Sequence, residues 1–252
     1  MSSPIISIIT ASFNSERYIN DCISSILEQK VKSEFEYIIK DGGSSDGTIN
    51  IVSHFQDSID KVISKKDYGL YDALNQGIKE ANGEYIGILN SDDLFKHPSI
   101  LQKISDYLQK YSPDCLLGDV EIVDQNNLKK IKRKYSAKNW SPSLFKYGIM
   151  PPHPAVYIKR ELFEKYGYYK LDYKIAADFE LLVRFLWKYK VSYVYMPETI
   201  VTMRDGGISN QGFFKSKRLI TKEIMKACRE NGLKTNAFLL NLRYLMKLKQ
   251  LL

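Results

Sequence analysis

Hydrophobic residues in the first part of the chain form short continuous runs, each followed by polar residues and then by a segment of helical periodicity. Continuous apolar runs of this length are typical of strands covered on both faces of a parallel sheet. The predicted strands are 4–13, 35–40, 61–64 and 84–89. The predicted helices are 15–27, capped by Ser15, then 48–55, 70–81 and 98–111. This alternation predicts an α/β fold with an open, mostly parallel sheet flanked by helices on both faces.

After residue 111 the pattern becomes less regular. Two strands are predicted to pair around a turn, at 115–123 and 128–135. A proline-rich loop at 151–159 enters a further strand, and 176–189 has the periodicity of a helix. Two more strands are predicted at 191–196 and 198–204, with a turn at Pro197 between them.

Composition and charge divide the chain in two. With 252 residues, of which 44% are hydrophobic and 26% charged, the chain is long enough for one sizeable core. Residues 215–252 contain ten Lys or Arg against Glu223 and Glu230, so this segment carries the whole net charge of +8. The first 214 residues hold 27 basic and 27 acidic side chains and are neutral. We therefore predict a body over 1–214 and a basic helical tail over 215–252.

Cysteine usage and the N-terminus favour a cytoplasmic protein. Cys22, Cys115 and Cys228 are far apart and odd in number, which argues against a disulfide framework. The N-terminal segment lacks the basic region of a secretory signal. No stretch approaches the roughly 20 apolar residues that a membrane-spanning helix needs.

Polar clusters follow three of the predicted strands, at 10–14, 41–43 and 90–93. Ligands of open α/β sheets bind outside the carboxyl ends of the strands, so these clusters are candidates for one site. Asp92 and Asp93 are adjacent and repel each other unless a cation lies beside them. Oxygen ligands suit Mg²⁺ or Mn²⁺, which also bind phosphates. The alternative is a turn in which one of the two acids caps the next helix.

The chain resembles family 2 of the glycosyltransferases, the inverting enzymes of GT-A fold that use nucleotide-diphosphate sugars. The resemblance covers about residues 4–205, in family order. It is carried by "ISIITASFNSERYINDCISSILEQ", "YIIKDGGSSDGT", "KDYGLYDALNQGIKEANGEYIGILNSDD", "PHPAVYIKRELFEKYG" and "KIAADFELLVRF". It implies a Rossmann-like nucleotide-sugar half over about 1–110 and an acceptor half over 111–214, followed by C-terminal helices.

The resemblance also implies roles for the polar clusters. Residues lining the nucleobase pocket would be Thr10, Ala11 and Phe13, and Asp41 would accept from the imino N–H of the base, which favours uracil. Asp67 would border the donor. Ser91, Asp92 and Asp93 stand at the acidic motif that binds the nucleotide sugar and its Mn²⁺ or Mg²⁺, with Asp93 as the first choice of metal ligand and Asp92 near the ribose or the metal. Many relatives have Asp where this chain has Asn90, so the number of protein ligands is open.

The catalytic base corresponds to Asp178. An Asp at a helix start is held anionic by the helix dipole, and a proton acceptor must be an anion. Without the resemblance, the same residue is an ordinary capping acid. The implied reaction is a single displacement, in which Asp178 takes the proton of the acceptor hydroxyl as that oxygen attacks the anomeric carbon. His153 would contact the diphosphate, the metal or the acceptor, or only hydrogen-bond a loop. Residues 203–209 are either a closing loop or a surface turn.

The tail is predicted to form two helices, 215–231 and 236–252. One arc of the second helix is apolar and the opposite side basic, with Phe238, Leu242, Leu245, Met246 and Leu248 against Arg243 and Lys247. A basic amphipathic helix favours an anionic membrane surface, at the inner face of the cell membrane. The alternative is packing against the body or a second subunit.

Other classes of protein fit less well. A dinucleotide-dependent oxidoreductase needs a glycine-rich turn after the first strand, and "TASFNSE" has no glycine. A nucleotidyltransferase needs a basic glycine-rich loop there. Nucleic-acid binding is disfavoured by the neutral body. The expected partners are a nucleotide-sugar donor and a saccharide or lipid-linked acceptor, in cell-surface polysaccharide synthesis. A catalytically inactive nucleotide-sugar-binding or scaffold protein of the same fold is the alternative.

Overall fold

The computed structural model describes residues 3–32, 35–206 and 213–248, and the side chains of 213–217 and 244–248 are outside this description. The strands are β1 (Ile6–Ser12), β2 (Phe35–Asp41), β3 (Lys61–Ser64), β4 (Tyr85–Ile88), β5 (Leu94–Phe95), β6 (Cys115–Asp124), β7 (Asn127–Tyr135), β8 (Val156–Lys159) and β9 (Tyr193–Arg204). The helices are α1 (Ile19–Leu27), α2 (Thr48–Ser53), α3 (Leu70–Lys79), α4 (Ile100–Tyr111), α5 (Arg160–Tyr166), α6 (Ala177–Leu182), α7 (Phe213–Glu230) and α8 (Ala237–Leu248). A π-helical segment, Val183–Lys188, continues α6.

The described strands form one open sheet in the order β3-β2-β1-β4-β8-β6-β9-β5, with β7 paired to β6. Pairing is parallel from β3 to β4 and between β6 and β9. The remaining pairs are antiparallel. The predicted open α/β sheet is therefore confirmed, and its parallel region is the first half that the strand–helix alternation indicated.

Helices cover both faces of the sheet, as the continuous apolar runs predicted. In β1 the side chains alternate between the two cores, with Ile8 in the core beneath α1 and α4 and Ile9 in the core beneath α3 and α6. Every residue of β1 is buried. A strand with two buried faces needs no polar side, which explains why its sequence does not alternate.

Two predicted boundaries are wrong for tertiary reasons. Helix α1 begins at Ile19, and Ser15 does not cap it through its side chain. The Ser15 hydroxyl instead contacts the Ser91 hydroxyl, and its backbone N–H donates to Thr48 Oγ1. The first turn is replaced by backbone bonds from Tyr18 and Ile19 to the Ser15 carbonyl.

The strands predicted at 191–196 and 198–204 are one continuous strand, β9. Its register against β6 shifts between Leu117 and Asp119, which pair with Tyr195 and Thr199. Three residues of β9 therefore oppose Gly118 alone. Pro197 lies in this bulge, where a missing N–H costs no ladder hydrogen bond. Gly118 permits the close approach, since an added Cβ there would lie 2.3 Å from Ile200 Cδ1.

The described part of the tail packs on the body. Its apolar residues join the core beneath α3 and α6, namely Ile224, Ala227, Cys228, Leu233 and Leu240. On α8, Phe238 of the predicted apolar arc is 72% exposed, whereas Arg243 of the predicted basic side is buried. The arginine fits because its Nη1 lies beside Gly148, where an added Cβ would be 3.1 Å away. The side chains of Leu245, Met246, Lys247 and Leu248 lie outside the described part. The division at residue 214 stays a prediction.

No helix in the described ranges combines the length and hydropathy that crossing a membrane would need.

Candidate active site

The polar clusters after β1, β2 and β4 meet at one edge of the sheet, as their places after parallel strands predicted. Ser12 Oγ donates to Asp41 Oδ1 at 3.2 Å, which joins the ends of β1 and β2. The Asn14 backbone N–H donates to Ser44 Oγ at 2.8 Å. The Ser15 and Ser91 hydroxyls, 2.8 Å apart, join the loop after β1 to the acidic loop after β4.

Asp41 stabilises the turn that follows β2. Its carboxylate accepts from the backbone N–H groups of Gly43 and Ser44, both at 2.9 Å, and from the hydroxyls of Ser12, Ser44 and Ser64. Burial alone would raise the pKa of Asp41, but these hydrogen bonds outweigh it and hold the pKa below its usual value. The group is an anion at neutral pH, and a nucleobase N–H would have to replace one of the present donors.

Asp67 is tied to the neighbouring strand by a buried ion pair. Lys40 Nζ lies 3.0 Å from Asp67 Oδ2, with the two side chains 0% and 9% exposed. Lys40 also donates to the carbonyl oxygens of Asp41 and Lys65. Asp67 Oδ2 lies against Gly42, where an added Cβ would be 2.8 Å away. Asp67 thus fixes the loop after β3 to the turn after β2.

The acidic loop after β4 holds two carboxyl groups in different surroundings. Asp93 is 2% exposed, and its Oδ2 accepts from Asn90 Nδ2 at 2.8 Å. Asp92 is half-buried. Burial raises the pKa of both groups, and the charge of Asp92 raises that of Asp93 further. A nearby cation would relieve this cost.

Arg204, at the end of β9, stabilises the same loop. Its Nε donates to the Asp92 carbonyl at 3.1 Å, and its guanidinium pairs with Asp21 of α1. The guanidinium also lies over the Tyr18 ring, 4.8 Å from the centroid. The peptide of the acidic loop is thereby connected to both β9 and α1.

The chemistry of the acidic loop fits a divalent cation. Within the described ranges no three His, Cys, Asp or Glu side chains gather as a complete metal site. Burial disfavours the ionised form of both carboxyl groups on this loop, and a cation would offset that cost. Mg²⁺ and Mn²⁺ suit such a loop, because they usually keep waters and bind substrate phosphates besides one or two carboxylates. Asn90 supplies no third carboxylate, and its Nδ2 donates to Asp93 Oδ2.

Asp178 lies in the first turn of α6, among aromatic residues of other elements. Tyr71 Oη is 3.4 Å from Asp178 Oδ1 and also donates to the Ile175 carbonyl. Tyr71 stacks on Tyr169, and the Tyr169 hydroxyl lies 2.7 Å from His153 Nε2. Tyr71 belongs to the first turn of α3, which follows Asp67. These contacts place Asp178 and His153 at the same edge of the sheet as the β3 carboxyl end.

The electrostatics of this cluster suit a proton acceptor. Burial raises the pKa of Asp178, while His153 and the hydrogen bonds from Phe179 and Tyr71 oppose the rise. Burial lowers the pKa of His153, against the attraction of Asp178. Asp178 is therefore a stronger base than a solvated aspartate, beside a histidine that is neutral at neutral pH.

The three residues predicted to line the nucleobase pocket differ in their exposure. Thr10 is fully buried, and its hydroxyl accepts from Tyr37 Oη at 3.3 Å, inside the core. Ala11 is buried as well. Phe13 is 63% exposed just beyond β1. Of these three side chains, only that of Phe13 offers an open face to a base.

Sequence reasoning missed Lys40, Tyr71 and Arg204. A signal existed for Lys40, because a lysine at the end of a continuous apolar strand must be neutralised when both faces are covered. Tyr71 and Arg204 gave no signal, since their partners lie 104 and 112 residues away in sequence.

Comparison with known proteins identifies the family. Residues 7–167 match the model for glycosyl transferase family 2. A PGL/p-HBAD biosynthesis glycosyltransferase of Mycobacterium bovis is 29% identical over 231 residues, which cover 90% of this chain and 84% of the relative. The chain therefore belongs to glycosyl transferase family 2.

Solved structures show the GT-A fold. TarS of S. aureus aligns with a TM-score of 0.66 and 21% identity over 87% of this chain, which spans only 39% of TarS. TarS 1–349 in complex with UDP-GlcNAc aligns with a TM-score of 0.63, 20% identity, and coverage of 87% of this chain and 66% of that one. The mannosyltransferase PcManGT of Pyrobaculum calidifontis, in complex with GDP-Man and Mn²⁺, aligns with a TM-score of 0.65 and 18% identity. The alignment covers 91% of this chain and 64% of PcManGT.

Proposed function

We propose that this chain transfers a hexosyl or N-acetylhexosaminyl group from a UDP-sugar to a hydroxyl of a saccharide or lipid-linked saccharide, with inversion at the anomeric carbon. The observation that carries the proposal is the shared sheet edge, where Asp41, Asp67, the acidic loop and the cluster around Asp178 all lie. The family membership and the UDP-GlcNAc complex of TarS support a UDP-sugar as donor.

Asp92 and Asp93 would hold Mn²⁺ or Mg²⁺, in line with the Mn²⁺ complex of PcManGT. A divalent ion supplies neutralisation of the negative charge that develops on the departing diphosphate. Between the two acids, the half-buried Asp92 is the better placed to reach a cation. The buried Asp93 is engaged by Asn90 and would support the loop. This reverses the order that the motif suggested.

Asp178 would act as the base. Burial raises its pKa, so its carboxylate holds an accepted proton more strongly than a solvated aspartate does. The Phe179 backbone N–H donates to Asp178 Oδ1 at 2.8 Å, and the Tyr71 hydroxyl lies 3.4 Å from the same oxygen. The acceptor oxygen loses its proton to Asp178 as it bonds to the anomeric carbon, and the bond from that carbon to the diphosphate oxygen breaks. His153, held by Tyr169, would border the acceptor.

Two basic surfaces support an anionic partner, such as a membrane bearing lipid-linked acceptors. The tail exposes Arg218, Lys222, Arg229 and Lys234, together with Phe238 on α8. Strand β7, whose basic character the count over 1–214 had concealed, exposes Lys129, Lys130, Lys132, Arg133 and Lys134 together with Leu128 and Ile131. An edge strand rich in lysine also resists pairing with other chains.

A thermal-shift screen tests the donor. A ligand that binds the folded state raises the melting temperature, so UDP-GlcNAc is expected to do so more with Mn²⁺ than without, and more than GDP-mannose or dTDP-glucose. UDP release from UDP-GlcNAc, with water or an added saccharide as acceptor, then tests transfer. Asp178→Asn is expected to keep the shift and lose UDP release. A shift without UDP release from the unaltered protein would favour an inactive binding protein instead.

A further inference from the structure

We infer that Glu223, on the C-terminal helix α7, is a positioning residue for the catalytic base, so that the tail forms part of the active site's support. The inference rests on the proposed role of Asp178 as base. Glu223 contacts no residue of the predicted donor site, and it would act through the backbone that carries Asp178.

The contacts of Glu223 converge on the three residues before α6. Its Oε1 accepts from the Lys174 backbone N–H at 2.8 Å. Its Oε2 accepts from the N–H groups of Ile175 and Ala176, at 3.0 and 2.9 Å. Ala176 is the N-cap residue of α6, and Asp178 is two residues further on. One carboxylate thus determines the path on which the chain enters the helix that presents the base.

Tyr71, which lies beside Asp178, also holds the segment at 174–176. The Ile175 carbonyl accepts from Tyr71 Oη, which also reaches Asp178 Oδ1. The peptide at Ile175 therefore bonds through its N–H to Glu223 and through its carbonyl to Tyr71. A shift of this peptide would move Asp178 relative to the Tyr71 hydroxyl that lies beside its carboxylate.

Helix α7 is anchored firmly enough for this purpose. Glu223 is buried, and the neighbouring Ile224, Ala227 and Cys228 belong to the core beneath α3 and α6. Beyond the end of α7, Asn231 Nδ2 donates to Glu180 Oε1 of α6 at 3.2 Å. Glu223 thus holds the chain just before α6, and Asn231 holds α6 itself at Glu180, so the contacts lie on both sides of Asp178.

A merely structural carboxylate would lower stability and leave turnover of the folded protein unchanged. Glu230, two turns further along α7, provides the matched control. It also contacts the segment before α6, but through the side chains of Lys170 and Tyr173 and not through its backbone. Glu230→Gln therefore perturbs the same helix without freeing the peptides at 174–176.

The experiment compares Glu223→Gln, Glu230→Gln and Asp178→Asn in the full chain. Three quantities are measured: UDP affinity with Mn²⁺ by calorimetry, the rate of UDP release from UDP-GlcNAc, and amide hydrogen exchange over 174–178. We expect Glu223→Gln to keep the UDP affinity within about twofold and to slow UDP release by about 10- to 100-fold, the upper figure being the effect of a ~1 Å misplacement. Exchange over 174–178 should rise in that variant only.

Each outcome separates the inference from the proposed function. If Asp178→Asn abolishes UDP release while Glu223→Gln releases UDP at the unaltered rate, the positioning role is wrong and the base assignment stands. If Asp178→Asn itself releases UDP at full rate, the proposed function fails first. Equal slowing in Glu223→Gln and Glu230→Gln also overturns the inference, since both changes would then act through general stability. Glu223→Asp keeps the negative charge on a shorter side chain and serves as a second variant in case Glu223→Gln does not fold. Faster UDP release by Glu223→Asp than by Glu223→Gln supports the positioning role of Glu223.

Discussion

Lys40→Met is expected to lower the free energy of unfolding severely, because it breaks the buried ion pair between β2 and the loop after β3. Lys40 Nζ donates to the carbonyl oxygens of Asp41 at 2.7 Å and Lys65 at 2.6 Å, and to Asp67 Oδ2 at 3.0 Å. Methionine fills a similar volume, so the substitution removes the charge with little change in packing. It leaves Asp67 and two carbonyl groups without their common donor.

The expected loss of unfolding free energy follows from the burial of both Lys40 and Asp67. Removing one member of a buried ion pair costs about 3–5 kcal/mol, because the remaining charge stays desolvated. For a protein of this size each kcal/mol corresponds to roughly 2–4 °C, so the melting temperature should fall by roughly 6–20 °C. The exposed pair of Lys61 and Glu80, 37% and 53% exposed, is the control. Lys61→Met should cost no more than about 1 kcal/mol.

Urea unfolding followed by tryptophan fluorescence measures both variants, with the slope of the transition checked for constancy. A Lys40→Met variant within about 1 kcal/mol of the unaltered protein would show that the pair is not desolvated as its burial implies. The double variant Lys40→Met/Asp67→Leu should recover part of the loss, because it also removes the unpaired carboxylate. If it does not, the two carbonyl groups account for the cost.

Three further predictions concern the candidate site and its surroundings. First, UDP release should decline as the pH falls through the raised pKa of Asp178. Burial raises the pKa of Asp178, so the folded state loses stability as the pH rises through that pKa and the carboxyl ionises. Asp178→Asn, which cannot ionise, should therefore melt no lower than the unaltered protein at neutral pH. A lower melting temperature would show that the ionised carboxylate stabilises the fold. Second, Asp92→Asn and Asp93→Ala should both lose Mn²⁺-dependent UDP binding in calorimetry; tight Mn²⁺-independent UDP binding by Asp93→Ala would refute the metal site. Third, Lys129→Glu/Lys130→Glu on β7 should weaken sedimentation with phosphatidylglycerol vesicles by about 1 kcal/mol per lost lysine, and equal binding to phosphatidylcholine vesicles would speak against an anionic surface.

Much of the first half of the chain could be predicted, because its signals are local. The continuous apolar runs require two buried faces, and parallel strands bring their carboxyl ends to one edge. The contacts from Ser12 to Asp41 and from Ser15 to Ser91 confirm that consequence. Where the prediction is wrong, a local signal competed with a distant partner. Ser15 has the character of an N-cap, yet its hydroxyl and N–H are taken by Ser91 and Thr48.

The second half was harder to predict because its features depend on pairs of elements. Pro197 is a turn signal, and only the bulge against Gly118 lets it remain within β9. Helical periodicity shows which residues of α8 form an apolar arc, but not which element packs against each face of the helix. The sequence therefore gave no sign that Arg243 would be buried beside Gly148. Glu223 gave none either, since its partners lie 47 to 49 residues away.

The contacts divide the candidate site into two parts that are stabilised by different means. The donor side consists of strand ends whose carboxylates bond to adjacent turns and to Lys40. The base side is a loop and a helix start, held by Tyr71 of α3 and Glu223 of α7. The two sets share no hydrogen bond among those of the described residues. Because independent sites contribute additively, a Lys40 change and a Glu223 change should lower stability by the sum of their separate effects, whereas only the Glu223 change should slow UDP release at saturating donor. Coupling between them would mean that the base is positioned through the donor side of the sheet edge after all.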